Sequence, residues 1–95
     1  MERTAILDLT DCKYIMDFHE RAKKALRFPD FYGYNWSAFW DSLSMDSPID
    51  FVTIKGAHTI SKELQPALEQ MLEIFERCKN RCRKLELPFD YVIED

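Results

Sequence analysis

The sequence predicts a two-layer α/β fold, a three-stranded parallel sheet with helices packed on one face. Three observations lead there. Ala5 to Leu9 is a short apolar segment, and Phe51 to Lys55 and Phe89 to Ile93 are rich in β-branched or aromatic residues; the three are set far apart in the chain, and each reads as a strand. The stretches between them carry apolar residues at helical spacing, and helical crossovers of that length join parallel strands with a right-handed turn. Asp8, Thr53, Lys55, Asp90 and Glu94 interrupt the strands with polar side chains, whereas strands buried on both faces read as unbroken apolar runs. One face of the sheet is therefore expected to stay uncovered.

Each element has its own signal. After the first strand, Tyr14, Phe18, Ala22 and Ala25 recur every three or four residues, the spacing of a helix face. Pro29 separates this helix from a second, marked by Trp36, Phe39, Trp40 and Leu43. Asn35 reads as the N-cap of that second helix, and Gly33 as the source of a turn conformation other residues resist. Beyond the second strand, Leu64, Leu68, Met71, Phe75, Cys78 and Cys82 mark one face of a long helix, with Pro66 tolerable in its first turn. The 95 residues make one domain, 1–95, with a modest core in which every large aromatic matters.

Composition excludes several classes of function. Only two glycines, Gly33 and Gly56, are present, too few for a Gly-rich phosphate loop, so no nucleotide cofactor is expected. The opening residues contain no secretory signal core and no membrane span, which points to a cytoplasmic protein. Cys12, Cys78 and Cys82 are an odd number, and the close pair sits one helical turn apart, too far for an unstrained bridge. These two thiols could hold a metal with His58 or Cys12, but without a second pair inward packing is the better reading. His19 and His58 are the only histidines; His19 is read as a surface residue, and no nucleophile, base or paired carboxylates mark an enzyme.

The charge pattern says more than the net charge of -4. No basic residue occurs between Arg27 and Lys55, while Asp30, Asp41, Asp46 and Asp50 fall inside that stretch, so one side of the molecule is expected to be acidic. Arg77, Lys79, Arg81, Arg83 and Lys84 form a basic run. Such a run could touch RNA, yet cations in the last turns of a helix are also what its dipole favours, and the acidic total argues against nucleic acid as the main partner.

The information-rich segment is FPDFYGYNWSAFW, Phe28 to Trp40, followed at once by Asp41. Part of its aromatic surface serves the core, but Phe31, Tyr32 and Tyr34 flank a glycine in a loop and cannot all turn inward. Aromatics gathered around a carboxylate have the composition of an interface hot spot.

LRFPDFYGYNWSAFWDSL resembles the signature of the barstar family, the intracellular inhibitors of guanyl-specific ribonucleases such as barnase. The motif is specific: Pro29, Tyr32, Gly33, Asn35, Trp40, Asp41 and Leu43 stand together at fixed spacing, and the wider pattern extends from Ala5 to Ile93 with Ile74-Phe75 before the third strand. The resemblance implies a barstar-like α/β fold and a function without catalysis. An acidic residue on the second helix takes the place of a substrate phosphate and plugs the active site of a secreted or contact-delivered ribonuclease, one to one. Asp41 matches that acid, Trp40 a neighbouring tryptophan, and Phe31 a contact position usually aromatic; Asn35 and Trp36 belong to the same surface. Ser37 stands where the family places a second acid, Arg77 where it places a third, and Asp46 near a tryptophan position of the following loop. These departures imply a target other than barnase, because like charges brought together oppose binding. Glu73, one turn before Arg77, either replaces the missing acid or is a solvated helix residue. The alternative reading is an interaction or immunity module on this scaffold directed at a toxin that is not a ribonuclease.

Overall fold

The computed structural model describes residues 3–94. In chain order the elements are β1 (Thr4–Asp8), α1 (Ile15–Ala25), α2 (Trp36–Asp41) running into a π-helical turn (Ser42–Asp46), β2 (Phe51–Lys55), two short 3-10 turns, α3 (Gln65–Lys84) and β3 (Asp90–Glu94). The strands form one sheet in the order β1-β2-β3, both pairings parallel. Register sets the faces: Ala5, Val52 and Tyr91 lie in one row and Leu7, Ile54 and Ile93 in another, with Ile6, Thr53 and Val92 on the opposite side. Leu7, Val52 and Ile54 are fully buried, whereas Ile6 and Val92 are exposed. The helices thus cover one face, as the interrupted strands predict.

Strand bounds differ slightly from expectation. β1 stops at Asp8, whose carboxylate accepts from the Thr10 N–H at 2.9 Å and from its hydroxyl at 2.6 Å; Leu9 leaves the strand but stays buried, its N–H donating to the Lys55 carbonyl. β3 is shifted by one residue, to Asp90–Glu94.

α1 buries Phe18, His19 and Ala22. Tyr14 is not part of that face: it occupies the N-cap position and is 69% exposed. The Asp17 carboxylate accepts from the N–H groups of Lys13 and Tyr14 and so closes the helix start. Arg21 ties α1 to the end of β1 by donating to the Asp8 and Thr10 carbonyls. α3 buries Ala67, Leu68, Met71, Ile74, Phe75 and Cys78, with Pro66 in the first turn where its missing N–H costs nothing.

Phe39 joins these layers. Fully buried, it meets Phe28 and Phe75 edge-on at 5.3 and 5.6 Å between ring centroids, one of the geometries aromatic rings prefer. It thereby pins α2 between the preceding loop and α3.

Two glycine expectations separate. Gly56 has a φ of 77°, and a Cβ there would stand 2.5 Å from the Thr10 nitrogen, so both conformation and space demand glycine. Gly33 does not take a left-handed conformation; Tyr34 does, with φ 53°. At Gly33 the constraint is the close approach of Ala38 and Asn35, each 3.3 Å from where a Cβ would sit.

Candidate functional site

The α2–α3 face is built by local chemistry first. The Asn35 side chain accepts from the Ala38 N–H at 2.8 Å and donates to the Gly33 carbonyl, fixing where α2 starts. At the other end the Ser44 hydroxyl donates to the Trp40 carbonyl at 2.7 Å, and the π turn closes with the Ser47 N–H on the Ser42 carbonyl. Trp40 and Asp41 are therefore held from both sides on a short, rigid segment. Such π turns recur at functional sites because they re-aim side chains without breaking the helix.

Between α2 and α3 lies an open groove of about 380 Å³. α2 contributes Trp36, Ser37, Trp40 and Asp41; α3 contributes Gln70, Glu73, Ile74 and Arg77. Six of the nine residues singled out from the sequence meet there. Phe31, Asn35 and Asp46 do not line it. Phe31 stands on the preceding loop with 81% of its surface exposed, Asn35 caps the helix, and Asp46 is exposed at the end of the π turn.

Charge on this face is mixed rather than uniformly acidic. α3 lays Arg77 over the Trp40 ring, 4.5 Å from guanidinium carbon to ring centroid, with Arg81 behind it at 5.9 Å. Of the acids in the stretch without cations, Asp50 is engaged by Arg3, while Asp30, Asp41 and Asp46 are exposed. Among the described residues Asp41 and Glu73 have no cation within 4.0 Å.

Underneath, a contact stands that the sequence reading missed. His19 is buried, not a surface residue; its Nδ1 is 2.5 Å from the Tyr32 hydroxyl and its ring is 4.4 Å from that of Trp36. Burial holds His19 below its usual 6.5 and pushes the Tyr32 phenol up, so both are neutral at physiological pH. This hydrogen bond anchors the loop that carries Phe31. The available signal was position: His19 follows Phe18 on the inner side of α1, and Tyr32 offers the one polar group a buried imidazole needs.

The cysteines serve packing. All three are reduced; Cys12 and Cys78 are buried and Cys82 is half-buried. Burial, and secondarily Cys82, push the Cys78 thiol up to about 12, which leaves it protonated and a poor ligand or nucleophile. No group of three or more potential metal-ligating side chains forms among the described residues, and no helix is long and apolar enough to cross a membrane.

Comparison with known proteins agrees with this architecture. Residues 2–94 match the family described as Barstar (barnase inhibitor). The chain is 31% identical over 94 residues to a protein of Bacillus subtilis (strain 168) named "Putative ribonuclease inhibitor YrdF", covering 97% of this chain and 99% of that one. With nearly the whole chain matched, and with three parallel strands, one covered sheet face and the α2–α3 groove in place, the protein belongs to the barstar family.

Proposed function

We propose that this protein inhibits a ribonuclease by presenting Asp41 to the cationic groups that hold substrate phosphate, with Trp40, Trp36 and Phe31 as the surrounding contacts. The observation that carries this reading is the state of Asp41: exposed, on a segment fixed at both ends, and unpaired among the described residues. A carboxylate so placed accepts charge-assisted hydrogen bonds from Arg, Lys and His without first breaking internal ones. It offers no phosphodiester to cleave, so the complex stalls as an inhibited one.

Two surroundings support it. The Trp40 indole beside Asp41 is half-buried against the core, with Arg77 over its ring; aromatic area already packed in the free protein lowers the ordering cost of association. Phe31 projects from a loop anchored by Tyr32 and supplies apolar surface that water can leave. On this reading the partner arrives from outside the cell or by contact, is bound one to one in the cytoplasm, and the inhibitor acts as an immunity protein without cofactor, metal or catalysis.

Titrating the protein into a panel of purified bacterial guanyl-specific ribonucleases tests it. At least one should be inhibited stoichiometrically, with association slowed by salt, since opposite potentials steer encounter and ions screen them. Asp41→Ala should weaken that inhibition by about 2 kcal/mol or more, because the enzyme's cations are left desolvated and unpaired. No inhibition at micromolar protein, or full inhibition by Asp41→Ala, would overturn the reading.

A further inference from the structure

We propose that the target carries an acidic side chain beside its cationic site, read by an arginine subsite that Arg77 and Arg81 form on the Trp40 indole; this deepens the inhibitor reading and rests on it. Arg77 and Arg81 are one turn apart on α3, both exposed, and both lie over the same ring. Among the described residues neither guanidinium has a carboxylate within 4.0 Å. That is notable for Arg77, because Glu73 stands one turn earlier in the order that favours a helical ion pair. A guanidinium held over an aromatic ring and without an ion-pair partner can offer its N–H donors to a carboxylate, which takes them by two parallel hydrogen bonds. Asn80 and Lys84 continue the same helix face and line a second hollow with Trp40, Arg77 and Arg81.

Two hollows thus meet at Trp40 and Arg77: Asp41 and Glu73 line one, Arg81 and Lys84 line the other, and Arg77 lines both. The pattern selects a protein rather than a nucleic acid. A phosphate backbone reaching Arg77 would bring uniform negative charge against Asp41 and Glu73, whereas a protein surface can change sign from one side chain to the next. The fitting surface is the complement: cations facing Asp41, and an Asp or Glu about one side chain away facing Arg77 and Arg81.

The test measures Kd for barnase and for a panel of guanyl-specific ribonucleases with and without an acidic residue on the rim of the active site. The inhibitor variants are Arg77→Glu, Arg77→Gln plus Arg81→Gln, and Asp41→Ala, each confirmed folded by thermal melting. The unmodified protein should prefer acid-rimmed enzymes, and Arg77→Glu should shift the ratio of affinities toward rims lacking the acid by about tenfold or more. The double Gln variant should lose the preference without reversing it. An unmodified protein without that preference, or an unchanged ratio in Arg77→Glu, would overturn the subsite. So would binding of a labelled single-stranded RNA at physiological salt that the double Gln change removes, since the arginines would then be an RNA surface. If Asp41→Ala weakens every complex while Arg77→Glu alters none, only the arginine subsite fails. If Asp41→Ala alters none, or no ribonuclease binds any variant, the inhibitor reading fails and takes this inference with it.

Discussion

The aromatic run from Phe28 to Trp40 divides into two halves that share composition and differ in fate. Phe28, Tyr32 and Phe39 are buried, while Trp36 and Trp40 are half-buried and Phe31 is almost fully exposed. The buried half is held by ring contacts and by the His19–Tyr32 hydrogen bond. The outer half touches the core only in part, Trp36 through the His19 and Phe39 rings, and is otherwise held by the Asn35 cap, the Ser44 back-bond and the Arg77 contact on Trp40. Composition alone does not mark an interface: the residues able to meet a partner are those whose neighbours in the chain have already filled the core.

Substitutions across this division should separate stability from binding. Phe39→Ala has the largest expected effect, about 3 to 5 kcal/mol of stability, because it empties the contact point of α2, α3 and the loop. Urea unfolding should show a large drop in midpoint; a small one would mean that Phe39 does not join the two halves. Trp40→Ala should cost less stability, about 2 kcal/mol for a half-buried ring, and should also weaken ribonuclease binding. A change in only one of the two measurements would place this ring wholly in the core or wholly in the interface.

Tyr32→Phe probes the buried half more finely. It removes the partner of His19 Nδ1 and should cost about 1 to 3 kcal/mol, the penalty for an unsatisfied buried polar group. The same site predicts a pH dependence. His19 is held below 6.5 in the folded state, so the unfolded chain binds its proton first as pH falls. Stability is full above about 6.5, declines below it, and levels off once the folded form is protonated as well. Asp8, Asp17 and Asp90 are lowered from 3.8 by the hydrogen bonds they accept; their contribution is present above 3.8 and is lost below it, a separate window. Urea midpoints between pH 8 and 5 should therefore fall in the parent and stay nearly flat in His19→Gln. Equal slopes would remove His19 from the account.

Phe31→Ala has the smallest expected effect on folding, within about 0.5 kcal/mol, because the ring is exposed. Its effect should appear in the complex, mainly as faster dissociation. A loss of stability comparable to that of Tyr32→Phe would show that the loop's two faces are not independent.

Strand composition, crossover length, helical periodicity and a capping residue type together identified the parallel sheet, the order of its elements, the Asn35 cap and the inner face of α3. Those features depend on neighbours a few residues away, which a linear pattern displays. The motif around Asp41 singled out α2, and the fold brings its Trp36, Ser37, Trp40 and Asp41 into one groove with α3. His19 was read as exposed although it follows Phe18 on the inner side of α1, because the group that satisfies a buried imidazole, the Tyr32 hydroxyl, comes from thirteen positions on. The left-handed conformation falls on Tyr34 rather than Gly33, where the close neighbours are Ala38 and Asn35 at 3.3 Å from a Cβ, and a linear pattern displays neither fact. The mixed charge of the α2–α3 face was a tertiary decision as well. Asp41 and Arg77 belong to segments separated by the whole of β2, and only the packing of α3 against α2 lays Arg77 on Trp40, where attraction to an aromatic face replaces the ion pair that its own helix offers in Glu73.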